Sequence, residues 1–340
     1  MSSTTPSLSL CTIFSESKRI IKAHSRHFLA LSVLFLLPLS FSIIVYPTLQ
    51  QLLLNSNRIH QSLSFLALSS NNHFTSTLNN NNNNNQPLFL ALAFTIFLSV
   101  FTLCAVGSIT YSVFHGFYGR PVKLLSALKS IFTSFLPLLA TTIASQIIIT
   151  GLVLVFAVFF LLVVKLVNSV GLVQFDYSSP YFTGFALLVF VALLLVLVNL
   201  QVNWNLASVV VVVESSWGFK PLKRSASLIK GYKLVALSFY LYYSFFTGLI
   251  IWSHTALSMY LSNSDWLKNW GFVLQIVFPS TLLTLLFLQY MAANTVLYMY
   301  CKAIHGELAM EIADEFAKEY VSLPFDDGKV PHLVSVSYAT

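Results

Sequence analysis

Six long stretches of this chain, residues 28–48, 88–114, 131–164, 181–212, 234–260 and 271–300, contain no Asp, Glu, Lys or Arg. About 20 apolar residues at about 1.5 Å each cross a hydrocarbon core of about 30 Å. Each run is long enough to do so. Strands of a membrane barrel would be about 10 residues long and alternating, and these runs are neither. Only 9% of the chain is charged, where soluble domains carry about 25%. The expected fold is all-α and polytopic, with six transmembrane helices.

Charge sets the expected orientation, because Lys and Arg gather in short cytosolic loops. Lys18, Arg19, Lys22 and Arg26 precede the first run. Arg120, Lys123 and Lys129 lie between runs two and three, and Lys220, Lys223, Arg224, Lys230 and Lys233 between four and five. Lys302, Lys318 and Lys329 follow the sixth. The alternate loops hold only Arg58, Lys165 and Lys268. Both termini are expected in the cytosol, and the net charge of +7 reads as an orientation and headgroup signal rather than a nucleic-acid one. The first run is too long for a cleaved signal and no small-residue site follows it, so it is expected to be retained. Cys11 and Cys301 fall on the cytosolic side and Cys104 inside a run, so no structural disulfide is expected. Cys301, at a run's end, is a candidate for palmitoylation.

The expected organisation is a disordered N-terminus (1–14), a six-helix domain (15–320) and a tail (321–340). The first outer loop, about 50–87, contains seven consecutive asparagines, Asn79 to Asn85. Such a tract buries nothing and is expected to be disordered. Arg120-Pro121-Val122-Lys123 returns as Lys220-Pro221-Leu222-Lys223. With SKRIIKAHSRHF as a diverged first copy, the chain reads as three parallel units, each a basic interfacial helix followed by a helical hairpin. Lys123, Lys129, Lys220, Lys223, Arg224 and Lys230 are the candidate contacts to anionic lipid, at about 1 kcal/mol each. Glu307, Glu311, Asp314, Glu315 and Glu319 mark an acidic helix, about 307–320, expected to fold back on the basic segments.

Reacting groups do not assemble into a set. The apolar runs hold no paired carboxylates, and the chain has no His-Glu-x-x-His, no Gly-x-Ser-x-Gly and no phosphate-binding glycine loop. His24 and His27 share a turn, but a metal site wants three or four ligands. His115 and His305 each precede a glycine after an even-numbered run. His254, in run five, is expected near its outer end, within reach of water. No enzyme, metal or cofactor is expected.

One stretch breaks the apolar pattern. Asn199, Gln201, Asn203 and Asn205 interrupt run four as NLQVNWNLAS. On a helix Asn199 and Asn203 share one face, and Gln201 and Asn205 another, about 160° away. An unpaired amide in hydrocarbon is costly, so the fourth span is expected to be central and packed on two sides. Candidate partners are Gln146, Thr141 and Thr142 in run three, and Gln275, Gln289 and Asn294 in run six. The cluster serves as interhelical glue, or as a polar site for a ligand.

The basic entry KRIIKAHSRHFLAL, the repeated Arg/Lys-Pro-Val/Leu-Lys, NWNLASVVVVVE and YMYCKAIHG together resemble a plant family of uncharacterised six-span integral membrane proteins. Some of its members carry the label polyadenylate-binding-protein-binding protein, which no residue here supports. The resemblance runs from about Ser15 to Glu319 and implies an integral protein of the endomembrane system or plasma membrane, with no catalytic residues to carry over. The expected role is organisation of lipid or partner proteins. The alternative is a passive channel or facilitator lined by the amides of span four.

Overall fold

A computed structural model describes residues 9–50, 86–120, 122–170, 179–261, 270–308 and 310. Among these the only regular secondary structure is helix: α1 (Leu10–Ala23), α2 (Ser25–Gln50), α3 (Gln86–Phe117), α4 (Leu124–Val170), α5 (Pro180–Trp204), α6 (Ala207–Glu214), α7 (Phe219–Leu228), α8 (Lys233–Leu261) and α9 (Trp270–Ile304). Six segments are long and apolar enough to cross a membrane: α2, α3, α4, α5 with α6, α8 and α9. The chain is an all-helical multi-pass membrane protein. The asparagine-rich loop, the acidic stretch past Met310 and residues 321–340 lie outside the described residues. Residues 10–14, expected in a disordered terminus, form the first turn of α1.

Ser9 caps α1, its hydroxyl accepting from the Thr12 amide at 3.3 Å. Ile13, Ser17 and Ile20 line the buried side of α1 at helical spacing. That side rests on other helices and not only on lipid. Gln289 Nε2 donates to Ser17 Oγ at 2.7 Å, and the Phe14 ring meets Tyr242 and Tyr243 with centroids 5.0 and 5.9 Å away. Helix α2 contains a π turn over Ser32–Leu36, just before Pro38. Proline offers no N–H to the preceding turn and crowds its carbonyl, so the local winding widens. His27 Nε2 lies 2.9 Å from Ser112 Oγ, tying α2 to α3. Gly107 of α3 faces α4, where a Cβ would make ordinary van der Waals contact with the Ile131 backbone at 3.7 Å.

The three basic stretches adopt different forms. The first is α1, turned at His24 into α2. The second is not a separate interfacial helix. Leu124–Lys129 continues without a break into α4, whose 47 residues extend about 70 Å. The third, α7, stands alone between Gly218 (φ 73°) and Gly231 (φ 98°). Those two glycines let the chain turn sharply at each end, because positive φ costs glycine nothing.

The central helix is α9, not span four. Ala292, Ala293, Asn294, Thr295 and Val296 through Met299 are buried, and α9 packs against α1, α2, α3, α6, α7 and α8. Small residues let neighbouring backbones come close, which is how helices associate in lipid. Helix α5 has the opposite character. Leu187, Leu188, Phe190, Leu194 and Leu195 are exposed, and it packs mainly against α4, α7 and α8.

Candidate functional site

Span four is broken. Helix α5 ends at Trp204 and α6 begins at Ala207, with Asn205 and Leu206 in a turn between them. A break inside a membrane segment frees backbone groups that hydrocarbon cannot answer. Four of these groups find partners. The Asn205 amide tightens onto the Val202 carbonyl at 3.3 Å. The Leu206 amide donates to Ser225 Oγ at 3.2 Å, and that hydroxyl donates to the Asn203 carbonyl at 2.7 Å. Asn294 Nδ2 donates to the Asn205 carbonyl at 2.8 Å. Side chains from α7 and α9 thus answer part of the opened backbone of span four.

The Asn205 side chain closes the same knot. Its Nδ2 donates to Asn294 Oδ1 at 2.9 Å, and its Oδ1 accepts from Tyr290 OH at 2.9 Å. The partner expected in span six is therefore Asn294. Gln289 serves α1 instead. The other three amides are not spent this way. Asn199 and Gln201 are exposed, and Asn203 Nδ2 reaches Asn199 Oδ1 only at 3.5 Å. The packing on two sides expected for span four is found in its second half, where α6 lies against α3, α4, α7 and α9; the amides themselves do not share it, because the helix ends there and one helical register does not run through them. Gln146 and Gln201 line a cleft of about 280 Å³ with Thr141, Thr142, Asn205 and Tyr290. Thr141 also accepts from the Gly218 amide at 3.2 Å, fastening α7's entry turn to α4.

Below the break lies a charged cluster. Arg224 donates to Glu214 Oε1 at 3.4 Å and forms a shorter contact with Glu307. Tyr298 OH donates to the same Glu214 oxygen at 2.9 Å. Lys302, almost fully buried, places Nζ 5.7 Å from the Tyr298 ring. The Arg224 hydrogen bond holds the Glu307 carboxyl below the usual range, with Lys302 adding to the effect, and Glu307 in turn raises Arg224. Arg224 is occupied by carboxylates and is not the free lipid contact expected of it. Glu307 does meet a basic helix; the rest of the acidic stretch is outside the described residues.

The remaining candidate cations face outward. Lys123, Lys129, Lys220, Lys223 and Lys230 are exposed, on α4 and α7 or at their ends. Exposed Leu125, Phe132, Trp217 and Phe219 stand among them. Lys129 also lines a recess of about 360 Å³ with Ser126, Ser130, Ser134 and Ser215. This gathers the start of α4 and the end of α6 at one end of the bundle.

Among the described residues no three His, Cys, Asp or Glu side chains come together as metal ligands. His254 is buried, and its Nε2 has no hydrogen-bond partner among the described residues, whereas water access was expected. Gln275, another expected partner of the amides, is likewise buried, and its Oε1 has no partner among the described residues. Sequence reasoning missed Ser225, Tyr290, Glu214 and Tyr298. Glu214 carried a signal: it is the first charge after run four, ten residues before Arg224.

The family described as "Domain of unknown function (DUF8558)" matches residues 4–329. No curated protein and no solved structure matches the chain.

Proposed function

The chain belongs to the DUF8558 family, and we propose that it is a non-catalytic membrane protein that organises anionic lipid at the cytosolic face of a plant endomembrane or plasma membrane. One observation carries this reading. The helix α7 is fixed to the bundle on one side by Ser225 and Arg224, while Lys220, Lys223 and Lys230 face outward. A rigid cationic surface loses little side-chain and backbone freedom on binding. The aromatic and leucine side chains beside it suit the headgroup boundary. Lys129 and the serines of its recess add a charge and hydroxyl donors for phosphate oxygens. Partner proteins with acidic segments would use the same surface; nucleic acid is not a partner in this reading.

The test is the lipid shell of the protein reconstituted in mixed phosphatidylcholine and phosphatidylserine vesicles. Spin-labelled lipids report which headgroup the protein retains. Wild type is expected to prefer phosphatidylserine. Replacing Lys220, Lys223 and Lys230 by Gln should reduce that preference several-fold, since each lysine contributes up to about 1 kcal/mol. Equal retention of both lipids by wild type would defeat the proposal. The second reading, a passive facilitator for a small neutral solute, draws on the amide-lined cleft. It requires solute flux into protein-containing liposomes that the lysine changes leave intact.

A further inference from the structure

The cleft at the break in span four has an apolar neighbour on each side. On one side a groove of about 880 Å³ runs between α3 and α4, walled by residues such as Leu98, Leu103, Ile147 and Leu154. It shares Thr142 and Gln146 with the cleft. From Thr142 to Leu154 it follows α4 for about 18 Å. On the other side a cavity of about 390 Å³ lies between α8 and α9, walled by Ile251 and Phe287. It shares Tyr240 and Tyr290 with the cleft. One polar centre thus joins two largely apolar arms.

The polar centre has hydrogen-bonding capacity left over. Gln146 and Gln201 make no hydrogen bond to the described residues; Gln201 lies in the last turn of α5, beside the break, and Gln146 is far from either end of α4. Gln146 is 22 residues from the start of α4 and 24 from its finish. An amide at the depth of Gln146 is costly unless something answers it. In the α8–α9 arm, Tyr243 is almost fully buried and its hydroxyl has no partner among the described residues. Among the described residues no Lys, Arg, Asp or Glu lines the cleft or either arm, so an ionised headgroup would find no counter-charge from them. Gly151 in one arm and Gly248 in the other leave bare surface, since a Cβ on either would meet nothing within 4 Å.

We propose that these three spaces form one binding site for an uncharged two-chain lipid of the diacylglycerol class. Its acyl chains occupy the two arms. Its free hydroxyl donates to a glutamine carbonyl, and its ester carbonyls accept from the amide groups of Gln146 and Gln201. Two amides present two acceptors and two donor groups; a hydroxyl with two esters answers them more fully than a lone hydroxyl would. This site stands apart from the lysine surface and does not depend on it.

The experiment uses the full chain in phosphatidylcholine nanodiscs with a diacylglycerol carrying a diazirine in one acyl chain. Irradiation and peptide mapping locate the adducts. Adducts are expected on α3–α4 and α8–α9 peptides, displaced by unlabelled diacylglycerol and not by added phosphatidylcholine or sterol. Gln146→Leu with Gln201→Leu should weaken labelling about tenfold. Gly151→Phe, which enters open space and should leave thermal unfolding unchanged, should abolish labelling on the α3–α4 side. Labelling spread evenly over the lipid-facing surface, equal displacement by sterol, or full labelling of both variants would overturn the proposal.

Discussion

Asn205→Leu is the substitution whose cost the geometry defines best. It deletes the hydrogen bond to Asn294 Oδ1 at 2.9 Å and the one from Tyr290 OH at 2.9 Å. Interhelical hydrogen bonds in membranes contribute about 0.6–2 kcal/mol each. The Asn294 oxygen is then left buried without a donor, which costs about 1–3 kcal/mol. These ranges overlap because both describe the same lost bond, so the expected loss is about 2–4 kcal/mol. Asn294→Leu should cost at least as much, because it also leaves the Asn205 carbonyl unanswered at the helix break. The double variant should cost less than the sum, with a coupling of about 1–2 kcal/mol. Asn199→Leu is the internal control: that side chain is exposed, and its change should be within about 0.5 kcal/mol. Thermal or denaturant unfolding in detergent supplies the values. Wild-type stability of Asn205→Leu, or strict additivity with Asn294→Leu, would refute the account of the break.

Three further outcomes follow from the same contacts. Arg224→Gln should lower stability by about 1–2 kcal/mol, discounted for an arginine that is a third exposed, and should increase protease cleavage around Gly231; unchanged cleavage would mean the ion pairs do not hold α7. Glu307 is held below the usual carboxylate range by Arg224. Its contribution is therefore present above the ordinary carboxylate pKa of about 4.3 and lost as pH falls through the lowered value. Unfolding of wild type between pH 6 and 3, compared with Glu307→Gln, should show that acid-sensitive component only in wild type. Gly248→Ala adds a methyl to open space inside a helix, where glycine is worse than alanine by about 0.5–1 kcal/mol; it should stabilise, and a destabilised variant would show that the site is occupied by protein.

The six spans were legible because hydrocarbon imposes one simple requirement, a long uncharged run, and each run declares it without help from its neighbours. The amide cluster was legible as an anomaly but not in its geometry. A helical wheel assumes one continuous register, and NLQVNWNLAS contains the point where the register stops. Nothing local marks that stop, since neither proline nor glycine lies there. The stop exists because Ser225, 20 residues after Asn205, answers both the Leu206 amide and the Asn203 carbonyl. The central place of α9 was written more openly, in Ala292 and Ala293 beside Asn294 and Thr295. The exposed leucines of α5 hid it, because an all-apolar span reads the same whether it faces lipid or protein. Arg224 shows the limit of counting charges: four of the five basic residues between spans four and five remain exposed, and the fifth is claimed by acids from both directions in sequence.

The account rests on α7 being seated in the break of span four. Hydrogen–deuterium exchange of the protein in nanodiscs, followed over peptides covering Val202–Leu228, measures that directly. Slow exchange at Leu206 in wild type, released by Ser225→Ala to at least tenfold faster exchange, is the expected result. Rapid exchange at Leu206 in wild type, or a rate unaltered in Ser225→Ala, would contradict it.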